Sequence, residues 1–310
     1  MAAHSLFLNS KKWTSSEGAP VELRRSTDAV SDGSKVYIRP SHVKDVYIFD
    51  IANEKWNEAT MQCTYFRSSL VIVNSTLIAV GGTANMATGH SCTNELFSIT
   101  IKENKKWSEM IEKRSRCTAI TCQHEGTTLL IVAGGENPVG KSLTTVEILN
   151  TMNNEWMVAC SLPEGLYSCS SAVVKDYLYL LGGWNTCQTA TNKVFRCQIK
   201  SLYENNTVNK MLWEKLPTDL PVSQTTCVAF KDHLLTFGGT WCHCYKCKCN
   251  KPTKNIHEFD EDSEEFECVG STPKAQYLCL ACATDNTIFV AGGAVNKEEA
   301  LYDVYILKTD

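Results

Sequence analysis

Apolar runs of four or five residues recur along the chain and end on glycine pairs: Leu77 to Val80 before Gly81-Gly82, Leu129 to Ala133 before Gly134-Gly135, Tyr177 to Leu181 before Gly182-Gly183, Leu234 to Phe237 before Gly238-Gly239, and Ile288 to Ala291 before Gly292-Gly293. Runs this short, rich in β-branched and aromatic residues and stopped by glycine, predict strands buried on both faces rather than helices. Another strand and a turn precede each run, as in Ser68 to Val73 before Asn74-Ser75 and Ser171 to Val174 before Lys175-Asp176, which predicts a hairpin. After the loop comes an alternating strand: Asp45 to Asp50, Glu95 to Ile99, Thr145 to Leu149, Lys193 to Cys197 and Asn255 to Asp260. A polar turn and a large aromatic follow, Trp56, Trp107, Trp156, Trp213 and, in the fifth unit, Phe266. Successive glycine pairs stand 48 to 56 residues apart, so one four-stranded unit repeats.

The ends of the chain depart from this pattern. In the first unit Val36-Tyr37-Ile38 leads into Arg39-Pro40 where the glycines are expected, while Asp32-Gly33 and Trp56 keep the spacing. The sixth unit, Cys279 to Leu307, stops after its third strand, Asp303 to Leu307, and Asn9 to Trp13 reads as the missing turn and fourth strand. Pairing the termini closes the ring and removes exposed sheet edges. Leu6 to Leu8 imitates a third strand, so the closure register stays open. The expected fold is all-β, a six-bladed β-propeller of four-stranded antiparallel blades closed by the N- and C-terminal strands. It is a single domain over residues 1–310, with blades about 21–60, 64–110, 114–160, 166–216, 222–269, and 276–310 completed by 1–16.

A double glycine, an aromatic or apolar third strand and a tryptophan at the fourth resemble the kelch repeat, over essentially the whole chain. Glycine there permits backbone conformations or close approaches that a Cβ forbids, and tryptophan offers a broad apolar plate between blades. These residues are scaffold. The resemblance implies a protein-recognition module, often a substrate adaptor of cullin-type ubiquitin ligases when BTB and BACK or F-box segments come first. No such segment precedes residue 1, so that duty is implied only for a fragment of a longer chain or with a linking subunit.

In such proteins the contact face is built by the loops after the glycines and by the links between blades. Here the loops are 83–93, 136–143, 184–192, 240–254 and 294–301. The links bring Arg24, Arg25, Arg67, Arg114 and Arg116 to the first three blades and Tyr167, Gln224 and Tyr277 to the last three. Arginine pairs carboxylates bidentately and tyrosine is a rigid anchor, so this crescent suits an acidic, extended protein or peptide. Solvated rim charges, or arginines holding neighbouring loops, are the alternative reading.

Composition narrows the class. Charged residues are 21 % and apolar ones 43 %, a globular balance, and a net charge of −4 argues against a nucleic-acid groove or a basic membrane surface. No run approaches the roughly 20 apolar residues of a membrane helix, and Met1 to Ser10 lacks the parts of a signal peptide. A cytoplasmic or nuclear protein is expected, with its 16 cysteines reduced, several of them, such as Cys169, Cys227 and Cys279, serving as small hydrophobes on strands. Cys279 and Cys282 lie on one strand and point to opposite faces, which makes them core.

The least repeat-like stretch is 241–249, where Cys242, Cys244, Cys247 and Cys249 accompany His243 within nine residues. Dense soft thiolates suit zinc or copper(I), yet only Cys244 and Cys247 have Cys-x-x-Cys spacing. An incidental exposed loop, a metal clip, a redox sensor and a partner-binding tip bearing Tyr245, Lys246 and Lys248 all remain open.

The rival to a binding module is a kelch-fold enzyme, which needs acids, bases or ligands converging on the channel. The seven histidines show no His-x-x-x-His spacing, and nothing singles out a nucleophile or general base, so no catalytic residue is expected. The run 261–265, Glu-Asp-Ser-Glu-Glu, reads as a solvated turn.

Overall fold

The repeated hairpin-plus-strand units form antiparallel sheets set radially around a channel. The computed structural model describes residue 8 and residues 12–23, 28–43, 45–62, 65–84, 91–99, 107–204, 212–241, 251–296 and 298–309. Blade one contains Asp28–Ser31, Lys35–Arg39, Asp45–Asp50 and Lys55–Gln62. In blade two Ser69–Val73, Thr76–Val80 and Leu96–Ser98 are described. Blade three contains Thr118–His124, Thr127–Ala133, Val146–Asn150 and Glu155–Val158, and blade four Ser170–Val174, Tyr177–Leu181, Val194–Gln198 and Glu214–Lys215. Blade five contains Thr226–Phe230, His233–Phe237, Thr253–Asp260 and Glu265–Gln276, and blade six Leu280–Ala283, Thr287–Ala291 and Val304–Lys308. Thr14–Ser16 supplies the fourth strand of blade six, with Thr14 opposite Ile306 and Ser16 opposite Val304. Each inner strand touches the next, and that of blade six touches that of blade one, so the six-bladed ring is closed.

The apolar alternation has a direct use. Each interface between neighbouring blades has its own core, because alternate residues of an inner strand point to the two flanking interfaces. Val71 and Val73 pack toward blade three, whereas Leu70 and Ile72 pack toward blade one. Cys279 likewise joins the core between blades five and six and Cys282 the core between six and one. Three tryptophans lock their blade to its predecessor: Trp56 Nε1 donates to Glu17 O at 3.1 Å, Trp156 Nε1 to Ser108 O at 2.9 Å and Trp213 Nε1 to Cys160 O at 3.2 Å, whereas Trp107 Nε1 donates to Ser98 Oγ of its own blade at 3.1 Å.

Gly135 shows why the glycine pair recurs. Its φ is 100°, its N–H donates to Leu166 O of the next blade at 2.8 Å, and a Cβ would stand 2.7 Å from Ser115 O. In blade one the strand register corrects the expected alignment. Asp28 pairs with Arg39 as Ser69 pairs with Val80, so Arg39 ends the strand and Pro40-Ser41 stand in the glycine positions. The buried Arg39 guanidinium donates to Tyr65 O and, at 3.1 Å, to Ser68 O, reaching the blade-two carbonyl that corresponds to Leu166 O. The acidic turn of blade five is also more than a solvated turn, since Lys175 meets Glu261 at 2.5 Å and Arg196 meets Glu264 at 2.7 Å across the interface with blade four.

Candidate functional site

Two residues before each of five inner strands the backbone enters the left-handed region, at Arg67 (φ 54°), Arg116 (53°), Ser168 (52°), Gln224 (57°) and Leu278 (54°). The residue just before each, from Phe66 to Tyr277, bridges to the residue following the glycine pair, which ties the links to the loops on the same face. Backbone bonds then step around the ring: Arg116 N donates to Arg67 O at 2.9 Å, Ser168 N to Arg116 O at 2.9 Å and Leu278 N to Gln224 O at 3.0 Å. A left-handed conformation is costly for residues with side chains. Because it recurs with arginine, serine, glutamine and leucine, the scaffold imposes it and the side chain is free to vary.

These five side chains line a cavity of about 130 Å³ at the channel mouth, together with Trp184 and Asp28. The mouth continues into the channel, a space of about 500 Å³ walled by the six inner strands. Arg116 is held by Glu136 at 3.0 Å, and its guanidinium carbon lies 5.4 Å from the centre of the Tyr167 ring. Burial and the neighbouring Arg116 charge push the Arg67 guanidinium below its ordinary pKa, against the smaller opposing pull of Glu136. A cation held at such a cost is relieved by an anion. Gln224 also lines the cavity, and its Oε1 is buried without a hydrogen-bond partner.

The structure brings some residues of the expected crescent together and separates others. Arg67, Arg116 and Gln224 come together at the mouth. Arg114 does not: it is fully buried, donating to Gly134 O at 2.8 Å and pairing with buried Glu147, so it is scaffold. Tyr167 and Tyr277 are also buried, one residue short of the mouth position, because the left-handed residue after each redirects the chain. Arg24, Arg25, Cys242, Cys244, Cys247 and Cys249 lie outside the described residues.

Ser168, Leu278 and Asp28 were missed from the sequence, whereas Trp184 opens the loop 184–192 assigned there to the contact face. Ser168 and Leu278 were legible, since the mouth residue stands 14 positions before the first glycine in four blades and 18 in blade three, whose hairpin is longer by two residues in each strand. Among the described residues no group of three His, Cys, Asp or Glu side chains is placed to hold a metal ion, and no helix is long and apolar enough to cross a membrane.

A profile described as the Attractin/LZTR1 β-propeller matches residues 33–249. The chain is 22 % identical over 140 residues to rat (Rattus norvegicus) Kelch-like protein 36, covering 45 % of this chain and 22 % of the relative. It is 22 % identical over 260 residues to Kelch repeat protein M-T8 of Myxoma virus (strain Lausanne), covering 82 % and 45 %, and 23 % identical over 277 residues to Kelch-like protein 23 of Pongo abelii, covering 85 % and 44 %. It spans less than half the length of each of these relatives. The solved structure of YjhT superposes with a TM-score of 0.71 at 16 % identity, over 95 % of this chain and 97 % of that one, which shows a shared fold.

Proposed function

The chain belongs to the Attractin/LZTR1 β-propeller family, and from that membership we propose that it is a protein-interaction module whose channel mouth receives an acidic segment of a partner protein. One observation carries this reading. Arg67 and Arg116 stand at equivalent positions of adjacent blades, line one cavity, and Arg67 is held charged against burial and its neighbour. The loops bridged to the same links supply a variable rim around that fixed centre.

Duty as a substrate adaptor of a cullin-type ligase belongs to the same proposal and requires a linking domain or subunit. A non-enzymatic role and a cytoplasmic location belong to the same proposal.

The test is binding of a dye-labelled pentaglutamate peptide, alongside proximity labelling in cells. Arg67→Ala should weaken the peptide by at least about tenfold, since a hydrogen bond to a charged group contributes roughly 1.5–3 kcal/mol. Unchanged peptide affinity and an unchanged set of labelled proteins in Arg67→Ala and Arg116→Ala would remove the mouth from consideration.

A further inference from the structure

Asp28 opens the inner strand of blade one, a position that the next four blades fill with Ser69, Thr118, Ser170 and Thr226. Two of those hydroxyls stitch neighbouring inner strands: Ser69 Oγ accepts from Ala119 N at 3.2 Å and Ser170 Oγ from Cys227 N at 2.8 Å. Asp28 Oδ2 does the same for Leu70 N at 3.0 Å. The stitch accounts for an oxygen at this position and leaves the carboxylate's charge unexplained. That charge lies where the mouth opens into the channel, since Asp28 lines both spaces, and the mouth is the one that Arg67 and Arg116 line.

We propose that Asp28 is a specificity-determining residue of the mouth, through which an acidic group of the partner is accepted together with one proton. The inference rests on the reading of the mouth as an anion site. Two carboxylates brought into one poorly solvated space cannot both stay ionised cheaply. When the ligand's carboxylate enters beside the arginines, a proton passes from solvent to Asp28, whose carboxyl becomes neutral and a hydrogen-bond donor.

The surroundings favour this exchange near neutrality. Burial raises the Asp28 carboxyl to about 6, outweighing the opposing hydrogen bonds from Ser69 and Leu70 N–H and the charge of Arg39 on the adjacent strand. Arg67 and Arg116 share the mouth, whereas Cys117, Cys169 and Cys279 around it, and Cys282 on the neighbouring inner strand of blade six, are thiols pushed up to about 12 by burial and stay neutral. A group whose pKa rises on binding takes up a proton, so affinity falls as pH rises above the unbound value.

The experiment follows the labelled pentaglutamate peptide by anisotropy from about pH 5.5 to 8 at fixed ionic strength, where its glutamates remain ionised. Wild-type affinity should fall with pH, approaching about tenfold per unit above 6.5 for one linked proton. Asp28→Asn, which keeps the oxygen for Leu70 N–H, should bind with little pH dependence and more tightly than wild type at pH 7.5. Calorimetry of the wild type in two buffers of different ionisation enthalpy should show uptake of up to one proton, a readout that stands even where the variant fails to fold. Equal slopes in wild type and variant, or no proton uptake, overturn the role of Asp28 while leaving the acidic-partner reading intact. A wild type that binds the peptide at no pH overturns both.

Discussion

Arg114 shows how far a residue's role depends on its burial. Its sequence position suggested a contact residue, but its guanidinium is committed to Gly134 O, Thr145 O at 3.1 Å and Glu147. Glu147 in turn accepts Ile111 N at 2.6 Å and Glu112 N at 3.0 Å, so the pair organises the link from blade two to blade three. Removing one partner of a buried ion pair strands the other charge. Arg114→Met should therefore cost about 3–5 kcal/mol in urea unfolding, while peptide affinity per folded molecule stays within about twofold of wild type, since a change below about 0.4 kcal/mol is that small. A mouth contact would show the reverse. The repeat spacing aligns Arg116, not Arg114, with Arg67, but what buries Arg114, Glu147, arrives from a strand about 30 residues on.

At the level of the element, the hairpin closed by two glycines was readable because strand length, β-branching and left-handed backbone are local properties. The reason for glycine is tertiary, since the carbonyl facing Gly135 belongs to Ser115 in the preceding link. Gly135→Ala should destabilise by about 1–3 kcal/mol or more, the cost of a strained backbone position plus the clash. Gly140→Ala, with φ 77° but nothing within 4 Å of the added Cβ, should cost less. The difference between their unfolding free energies reports the clash together with the difference in backbone strain between φ 100° and 77°. Blade one reaches the same junction by another route, through Arg39, and this is why its missing glycines did not end the repeat. That substitution was invisible in the sequence because the guanidinium acts across the blade boundary.

For the whole molecule, closure is the feature on which the mouth depends, since the mouth residues stay in register only in a complete ring. The N-terminal strand Thr14–Ser16 pairs with Val304–Lys308, Ala19 N donates to Tyr302 O at 2.7 Å, and Lys308 meets Glu54 of blade one at 2.7 Å. Deleting residues 1–16 should cost at least about 2 kcal/mol, as two or three net hydrogen bonds at roughly 1 kcal/mol each. It should also leave an open sheet edge that self-associates, which scanning calorimetry and size-exclusion chromatography will register as a lower melting temperature and concentration-dependent dimers. The sequence by itself determined the number of blades, their strand order and closure of the ring by the two termini, because those follow from short-range periodicity and turn chemistry repeated at a fixed interval, whereas the closing strand is Thr14–Ser16 rather than the expected Asn9 to Trp13. The repeat spacing lines up the equivalent positions of the blades, but only the tertiary structure decided which of those positions faces the channel. A single left-handed residue turns the chain, so that Leu278 reaches the mouth and Tyr277 does not, and Asp28 and Arg67 share a cavity only because adjacent blades present them there.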